Sequence, residues 1–506
     1  MNSSSTAAAP LGKTAWLVVI VAAIGFLFDT YELLMTPLVL APALSELLHV
    51  PPNHPDVTAW SGRVLWMTAL SGGIFGLLGG WLTDRLGRKT VMAGSIFVYS
   101  ISPVLAGLST SLGWLVFFRC TTFVGVCVEF VAAVTWLSEL FPDKRQRELA
   151  VGWTQAFASV GGLFVTSVSV GIGSLLQKKY LPDLPVGEAS GMAWRYTLMT
   201  GLIPALPIAL LLPFVPESAA WLERKRAGQL QRPRFGELFA PGLLRTTLVA
   251  TALSACAYAA AFGTLQVTVS GGVPGLKVPD VLEAGAQVGP LNKANQALKE
   301  EMDKLPTDSS DFKAKEDEYN ANLRKIGKIT KDKVQPVREQ VQFMQELGGL
   351  LGRILLALAL IYVASKRLLL WMFQVPGLLI IPIVWFYVFP NQPEYFIWGI
   401  FMAGACIVSQ FSYFGEYLPK VFPVHLRGTG GAFATNVGGR MVGTSAAFLT
   451  TGAIAPLLAK WTGGGPVTPE KVAIAAGITG VSVFVLGFLV SFFLPQPPPE
   501  KGKDIV

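Results

Sequence analysis

Apolar residues along this chain gather into twelve runs, approximately at 14–40, 60–82, 91–108, 113–138, 148–175, 195–215, 244–270, 347–364, 368–389, 394–418, 428–458 and 471–494. Short polar, glycine-marked or proline-marked breaks separate them. A run of about 20 apolar residues is long enough to cross a bilayer as a helix rising ~1.5 Å per residue. The expected fold is therefore an all-α membrane protein with twelve spanning helices. One stretch departs from the pattern. Residues 271–345, between the seventh and eighth runs, are hydrophilic, with segments such as Ala297-Leu-Lys-Glu-Glu-Met-Asp-Lys304 and Phe312-Lys-Ala-Lys-Glu-Asp-Glu-Tyr319. Glu and Lys at helical spacing predict one or two exposed helices there. The stretch reads as a solvated insert, with a lid over the outer mouth or a partner-binding cap as the alternative roles.

Composition agrees with the membrane reading. The chain has 506 residues, of which 14% are charged, well below the roughly 25% of soluble domains. Its net charge of +8 does not point to nucleic acid, because the basic residues concentrate in alternate loops: 85–89, 144–147, 224–234, 366–367, 420–427 and 501–503. That asymmetry orients a membrane protein with its positive loops inside. It places both termini on the cytoplasmic side and the insert outside. The first apolar run is too long for a signal-peptide core and carries Asp29 and Glu32, so it is expected to remain as the first spanning helix. Cys120, Cys127, Cys256 and Cys406 fall inside apolar runs without metal-ligand spacing and read as small buried side chains. His49, His54 and His425 are scattered in loops. No phosphate-binding loop or nucleophile elbow occurs, so no enzyme, metal or cofactor is expected.

A weak internal repeat divides the chain. Glu139-Leu-Phe-Pro142 followed by Arg147, after the fourth run, has a counterpart in Tyr417-Leu-Pro419-Lys-Val-Phe-Pro423 followed by Arg427, after the tenth. Two six-helix halves would leave such a trace. The expected organisation is a tail at 1–13, a first bundle at 14–215, a basic linker at 216–243, a second bundle at 244–494 carrying the insert, and a tail at 495–506.

Ionisable residues inside apolar spans are costly and are functional candidates by default. Asp29 and Glu32 lie three residues apart, on nearly the same face of the first helix. Two carboxylates so close in a low dielectric repel when both are ionised, so the pair is expected to take up and release a proton. In the fourth span, Arg119 and Glu129 are ten residues and hence ~15 Å apart along the axis. They cannot pair directly, so each needs another partner. Arg119 could neutralise Asp29 or Glu32, or hold an anionic substrate with its planar fork. Tyr31, Trp136, Gln155, Tyr258, Gln266, Gln410, Tyr413, Glu416 and Asn436 are candidate hydrogen-bonding contacts in a central cavity, although for any one of them a helix–helix contact is the more common role.

The turn Gly80-Trp-Leu-Thr-Asp84-Arg85-Leu-Gly87-Arg88-Lys89 resembles the loop between helices 2 and 3 of the major facilitator superfamily of secondary transporters. In that pattern Gly80 allows close helix packing, Asp84 sits at the helix end and Arg88 pairs with nearby acceptors. Arg119, Gly125, Glu129 and Glu139 look like helix 4 of the sugar-porter and metabolite:proton-symporter branches. Trp194-Arg195 and Pro216-Glu217-Ser218-Ala-Ala-Trp221-Leu222 look like the sugar-porter ending of helix 6. Arg427-Gly-Thr-Gly430 and Asn436-Val-Gly-Gly439-Arg440 resemble the entry into helix 11. The acid pair in helix 1 looks like that of aromatic-acid and sialate-type proton symporters. The chain departs from the family pattern at Lys420, where Glu is usual, at Glu148, and at Ala364-Ser-Lys-Arg367, which lacks a second copy of the 2–3 turn.

The resemblance implies alternating access in a bacterial cytoplasmic membrane, with proton-coupled uptake of a small polar metabolite such as a sugar, sugar acid or organic acid. Asp29, Glu32 and Glu129 would carry the proton. Gly80, Asp84, Arg85, Gly87, Arg88, Glu139, Arg147, Glu217, Arg427 and Arg440 would form the cytoplasmic gate. The expected partners are substrate, protons and lipid, and the expected state is a monomer. An exporter of the same fold or a transporter-like sensor are the competing roles.

Overall fold

A computed structural model describes residues 13–52, 54–140, 144–186, 192–203, 205–228, 235–306, 309–423 and 426–496. Twelve of its helices are long and apolar enough to span a membrane. In chain order the first six are α1 (Lys13–Leu47), α2 (Pro55–Leu86), α3 (Arg88–Gly107), α4 (Leu112–Leu140), α5 (Lys144–Gln177) and α6 (Ala193–Phe214). A short linker helix, α7 (Ala219–Arg226), comes next. The second six are α8 (Leu244–Gly275), α10 (Ser310–Leu360), α11 (Lys366–Asn391), α12 (Pro393–Leu418), α13 (Thr429–Trp461) and α14 (Pro469–Ser491). Helix α9 (Pro279–Met302) belongs to the insert.

Helix starts obey local chemistry. Ser309, Ser365 and Thr468 each accept a hydrogen bond from the backbone N–H three residues on, capping α10, α11 and α14 and satisfying one of the amides each helix start leaves without an internal partner. Gly87, at φ +99°, makes the turn from α2 into α3, a conformation open to glycine at no steric cost. Pro37 and Pro42 lie inside α1 without ending it, so the helix runs past the expected limit at residue 40. Neighbouring helices can re-satisfy freed carbonyls in a packed membrane bundle.

Within the first half, α1 packs on α4 and α5, and α3 on α4. Within the second, α8 packs on α13 and α14, and α10 and α11 on α12. The two halves join along two seams, α2 with α13 and α5 with α10. A shift of six spans converts one seam into the other, which is the signature of an internal duplication. Large apolar side chains such as Phe97, Leu210, Phe214, Leu379, Trp398 and Phe493 point outward, where a bilayer would take the place of a protein core.

The insert differs from its expected form. Helix α10 continues from Ser310 to Leu360, so residues 335–345, read from the sequence as insert, belong with Glu346 to a spanning helix. Their polar side chains are buried rather than solvated: Arg338, Glu339, Gln342, Gln345 and Glu346 all lie inside the protein. They recur every three or four residues, which places them along one side of the helix. Helix α9 packs back on the first part of α10, with the Asn322 amide donating to the Asn295 carbonyl oxygen (3.0 Å). The insert is thus a helical hairpin built onto the start of the eighth span.

Candidate functional site

Three carboxyl groups and two guanidinium groups meet in the interior. On α4, Arg119 is held by α1: one nitrogen lies 3.3 Å from Glu32 Oε2, and another donates to the Glu32 carbonyl (2.9 Å) and to Thr36. The sequence left Asp29 and Glu32 open as partners for Arg119; Glu32 is the one in contact. Its side chain also presses on α6, where a Cβ added at Gly201 would strike Oε1.

Asp29 turns instead toward Glu129, and each is within electrostatic reach of the other. Both are buried, and none of their four carboxyl oxygens finds a hydrogen-bond donor among the described residues. Glu129 is fixed by close packing, since a Cβ at Gly25 would collide with its carboxylate. The expected Asp29–Glu32 pair is therefore replaced by two pairs across the α1–α4 contact. Residues three apart on a helix are rotated by about 60°, enough for the two acids to find different neighbours.

Arg440 supplies the second cation, from the other half. It donates to Asn436 Oδ1 (2.8 Å), lies 5.2 Å from the Phe130 ring and is within electrostatic reach of Asp29, Cys127 and Tyr258. Its position comes from an unusual stretch of α13, Phe433–Gly443, which winds in widened i→i+5 turns. Three glycines let that stretch approach α8. Added Cβ atoms would meet the backbone at Thr251 and Ala255 from Gly438 and Gly443, and the Tyr258 ring from Gly439. Placed in the gate group by resemblance, Arg440 lies eleven residues past the start of its span, ~16 Å along it, beside the carboxyl pair.

The 2–3 turn builds a separate cluster. Arg88 makes two hydrogen bonds to Glu139, Nε to Oε2 (3.0 Å) and Nη2 to Oε1 (2.7 Å), and a third to the Thr83 carbonyl (2.9 Å). Ser218 Oγ donates to Glu139 Oε2 (2.6 Å), and Glu217 accepts from the Arg88 and Lys89 amides at the start of α3. A carboxylate at a helix N-terminus is favourably placed. Arg85 is exposed and lies over the Trp81 ring. The close approach attributed to Gly80 falls one residue earlier: a Cβ at Gly79 would sit 3.2 Å from Val128, whereas at Gly80 it would have 3.9 Å to Val131. In the second half, Glu416 binds Lys366 (2.9 Å) and Lys420, so a reduced ion cluster occupies the place that Lys420 and the 8–9 loop left in doubt. The side chains of Asp84, Arg147, Gln155 and Arg427 lie outside the described residues.

The remaining candidates are dispersed. Tyr31 bonds Thr200 across the α1–α6 contact (2.6 Å). Trp136 packs in an apolar cluster with Phe26 and Ile208. Gln410 donates to the Cys406 carbonyl of its own helix (3.2 Å). Tyr413 stacks on Tyr417. Gln266 is buried, with its carbonyl oxygen lacking a donor among the described residues. Trp194 and Arg195 both bind Glu46, joining α6 to the end of α1.

The polar face of α10 escaped the sequence reading. Gln342 donates to the Leu34 carbonyl (2.9 Å), Ser169 donates to Glu339 (2.6 Å), and Gln345 donates to Glu346 (2.8 Å), which presses on Gly162. These contacts form the α5–α10 seam and touch α1. The usable signal was the three-to-four-residue spacing of polar side chains running without a break into an apolar span.

Residues 12–291 match the family model described as Major Facilitator Superfamily. The chain is 24% identical over 217 residues to the sialic acid transporter NanX of Escherichia coli (strain K12), covering 42% of this chain and 45% of that protein. It is 26% identical over 218 residues to the niacin transporter NiaP of Acinetobacter baylyi, covering 42% and 43%. In each case it spans less than half the length of the relative. A crystal structure of a D-xylose-proton symporter has the same fold, with a TM-score of 0.62 at 17% identity over 97% of this chain and 99% of that one.

Proposed function

Because the chain belongs to the Major Facilitator Superfamily, we propose that it is a secondary transporter that couples uptake of a small polar metabolite to protons by alternating access. The observation that carries the coupling is the Asp29–Glu129 pair, two buried carboxyl groups that find no hydrogen-bond donor among the described residues. Two ionised carboxylates cannot share such a place cheaply, so one proton shared by the pair is the low-energy state. With Glu32 committed to Arg119, Asp29 and Glu129 face the single cation of Arg440, and a bound proton balances the count.

On this reading the insert faces outside and both termini face the cytoplasm. Substrate and proton enter from outside. The neutralised pair lowers the cost of closing the cavity, and proton release inside weakens substrate binding. Arg440, brought in from the second half, senses the charge on the pair, so protonation alters an attraction between the two halves. The Arg88–Glu139–Ser218 cluster stiffens the cytoplasmic end of the first half, and Glu416 with Lys366 and Lys420 serves the second. Relatives named for sialic acid and niacin, and a structural neighbour named for xylose and protons, support a substrate among sugars, sugar acids and organic acids.

Uptake by proteoliposomes tests the coupling. Asp29→Asn and Glu129→Gln should abolish accumulation driven by a pH gradient while preserving exchange of labelled for unlabelled substrate. Gradient-driven accumulation unchanged in both single variants and in the double variant would overturn the proposal.

A further inference from the structure

A cavity of about 1490 Å³ lies between the hairpin and the ends of α1, α5 and α6. It exceeds the roughly 300–1,000 Å³ of pockets that enclose a small ligand, so it suits a solute that keeps part of its water. Its walls are unequal in charge. Helix α10 contributes Arg324, Lys328, Lys331 and Arg338, and α6 contributes Arg195, against the carboxylates of Glu46, Asp332 and Glu339. Two of those acids are already engaged: Glu46 by Arg195 and Trp194, and Glu339 by Ser169 and Gln335. Lys328 and Lys331 take part in no ion pair among the described residues. The cavity therefore carries an excess of positive charge on its α10 wall.

The floor of this cavity is the start of the buried polar face. Arg338 and Glu339 line it, and Gln342 and Glu346 sit one and two turns deeper on the same helix, ending near Arg353, which lies within electrostatic reach of Tyr258. Tyr258 in turn neighbours Arg440. A series of buried polar groups thus runs from the cavity toward the central carboxyl pair. The lid and the path belong to one helix of 51 residues, ~75 Å long, so the hairpin is joined to the eighth span without a loop. Tyr319 donates to the His49 carbonyl (3.1 Å), where the lid touches the first half.

From these observations we infer that the hairpin roofs a vestibule which gathers a carboxylate-bearing substrate on Lys328 and Lys331 before it enters the central site. This deepens the transport reading and rests on it, and it narrows the substrate class to organic anions. Clefts lined by one sign of charge between low-dielectric walls raise the local concentration of the opposite sign, in a way that salt weakens.

The test uses the full chain in lipid-free detergent, which separates a free solute from an anionic lipid headgroup. Thermal unfolding is monitored with matched probes: gluconate against glucose, benzoate against benzamide, and pyruvate against glycerol. At least one anion should stabilise the protein where its neutral mate does not. Lys328→Gln with Lys331→Gln should raise the half-saturating concentration about fivefold, and 0.5 M NaCl should erase the difference between variant and parent. Equal stabilisation by anion and neutral mate, stabilisation by no anion, or an anion response unchanged in the double variant would overturn the inference. The proton-coupling variants Asp29→Asn and Glu129→Gln, measured by uptake, report separately on the transport reading.

Discussion

Arg88 meets Glu139 through two parallel hydrogen bonds, at 2.7 and 3.0 Å, and six spans later Lys366 meets Glu416 through a single one at 2.9 Å. Both pairs join the start of one helix to the end of another: α3 to α4, and α11 to α12. The duplication has kept the place and changed the chemistry. A planar fork fixes two donors on a carboxylate, whereas an ammonium is a compact point charge.

That difference gives the first prediction. Glu139→Ala removes the carboxylate that takes two hydrogen bonds from a buried guanidinium, and breaking a buried pair costs about 3–5 kcal/mol. Arg88→Lys should cost less than Glu139→Ala but stay well below the parent. Unfolding midpoints in detergent would check the order, and a silent Glu139→Ala would show that the pair contributes nothing.

A second prediction concerns the two acids of α1. Glu32→Gln strips the buried Arg119 of its counter-ion and should destabilise by several kcal/mol. Asp29→Asn removes a charge that has no donor among the described residues, so stability should hold or rise. The two substitutions should therefore separate clearly in thermal unfolding, and the reverse order would show that Asp29 is the true partner of Arg119.

Glycines supply a third. Gly161→Ala and Gly348→Ala would drive a methyl group into the Leu27 and Phe401 carbonyls across tight helix contacts, costing about 1–3 kcal/mol each. Gly80→Ala has room and should gain up to about 0.8 kcal/mol from helix propensity. The result would separate the residue that the motif highlights from those on which close packing depends, with folded yield and midpoint as the readouts.

The twelve spans were legible because each holds a long apolar run, and a soluble fold rarely needs one of that length. The start of the eighth span was not. Arg338, Glu339, Gln342 and Glu346 look like a solvated surface, and only the neighbouring helices α1, α5 and α8 make them interior. Candidate acids could be named from the cost of burying charge, but their partners could not. Whether Arg119 meets Asp29 or Glu32 depends on helix rotation, which short-range spacing does not specify. Arg440 was drawn by resemblance into a gate group, although its depth in the span is fixed by counting thirteen residues past Arg427. The reduced Lys366–Glu416 cluster was hidden because its members match no motif.

The widened turns have a mechanical consequence. Among the described residues they occur at Ala260–Gln266, Thr268–Gly272, Thr330–Val334, Ile383–Val388, Phe433–Gly443 and Thr450–Ile454, all in the second half. Each holds an extra residue that can slide along the helix, and passing one residue rotates the downstream turns by about 100°. The first half offers no such slack among its described residues, so under the transport proposal it would serve as the stator. Twisting would then fall to its partner, and Arg440 rides on the longest of the six loosened coils.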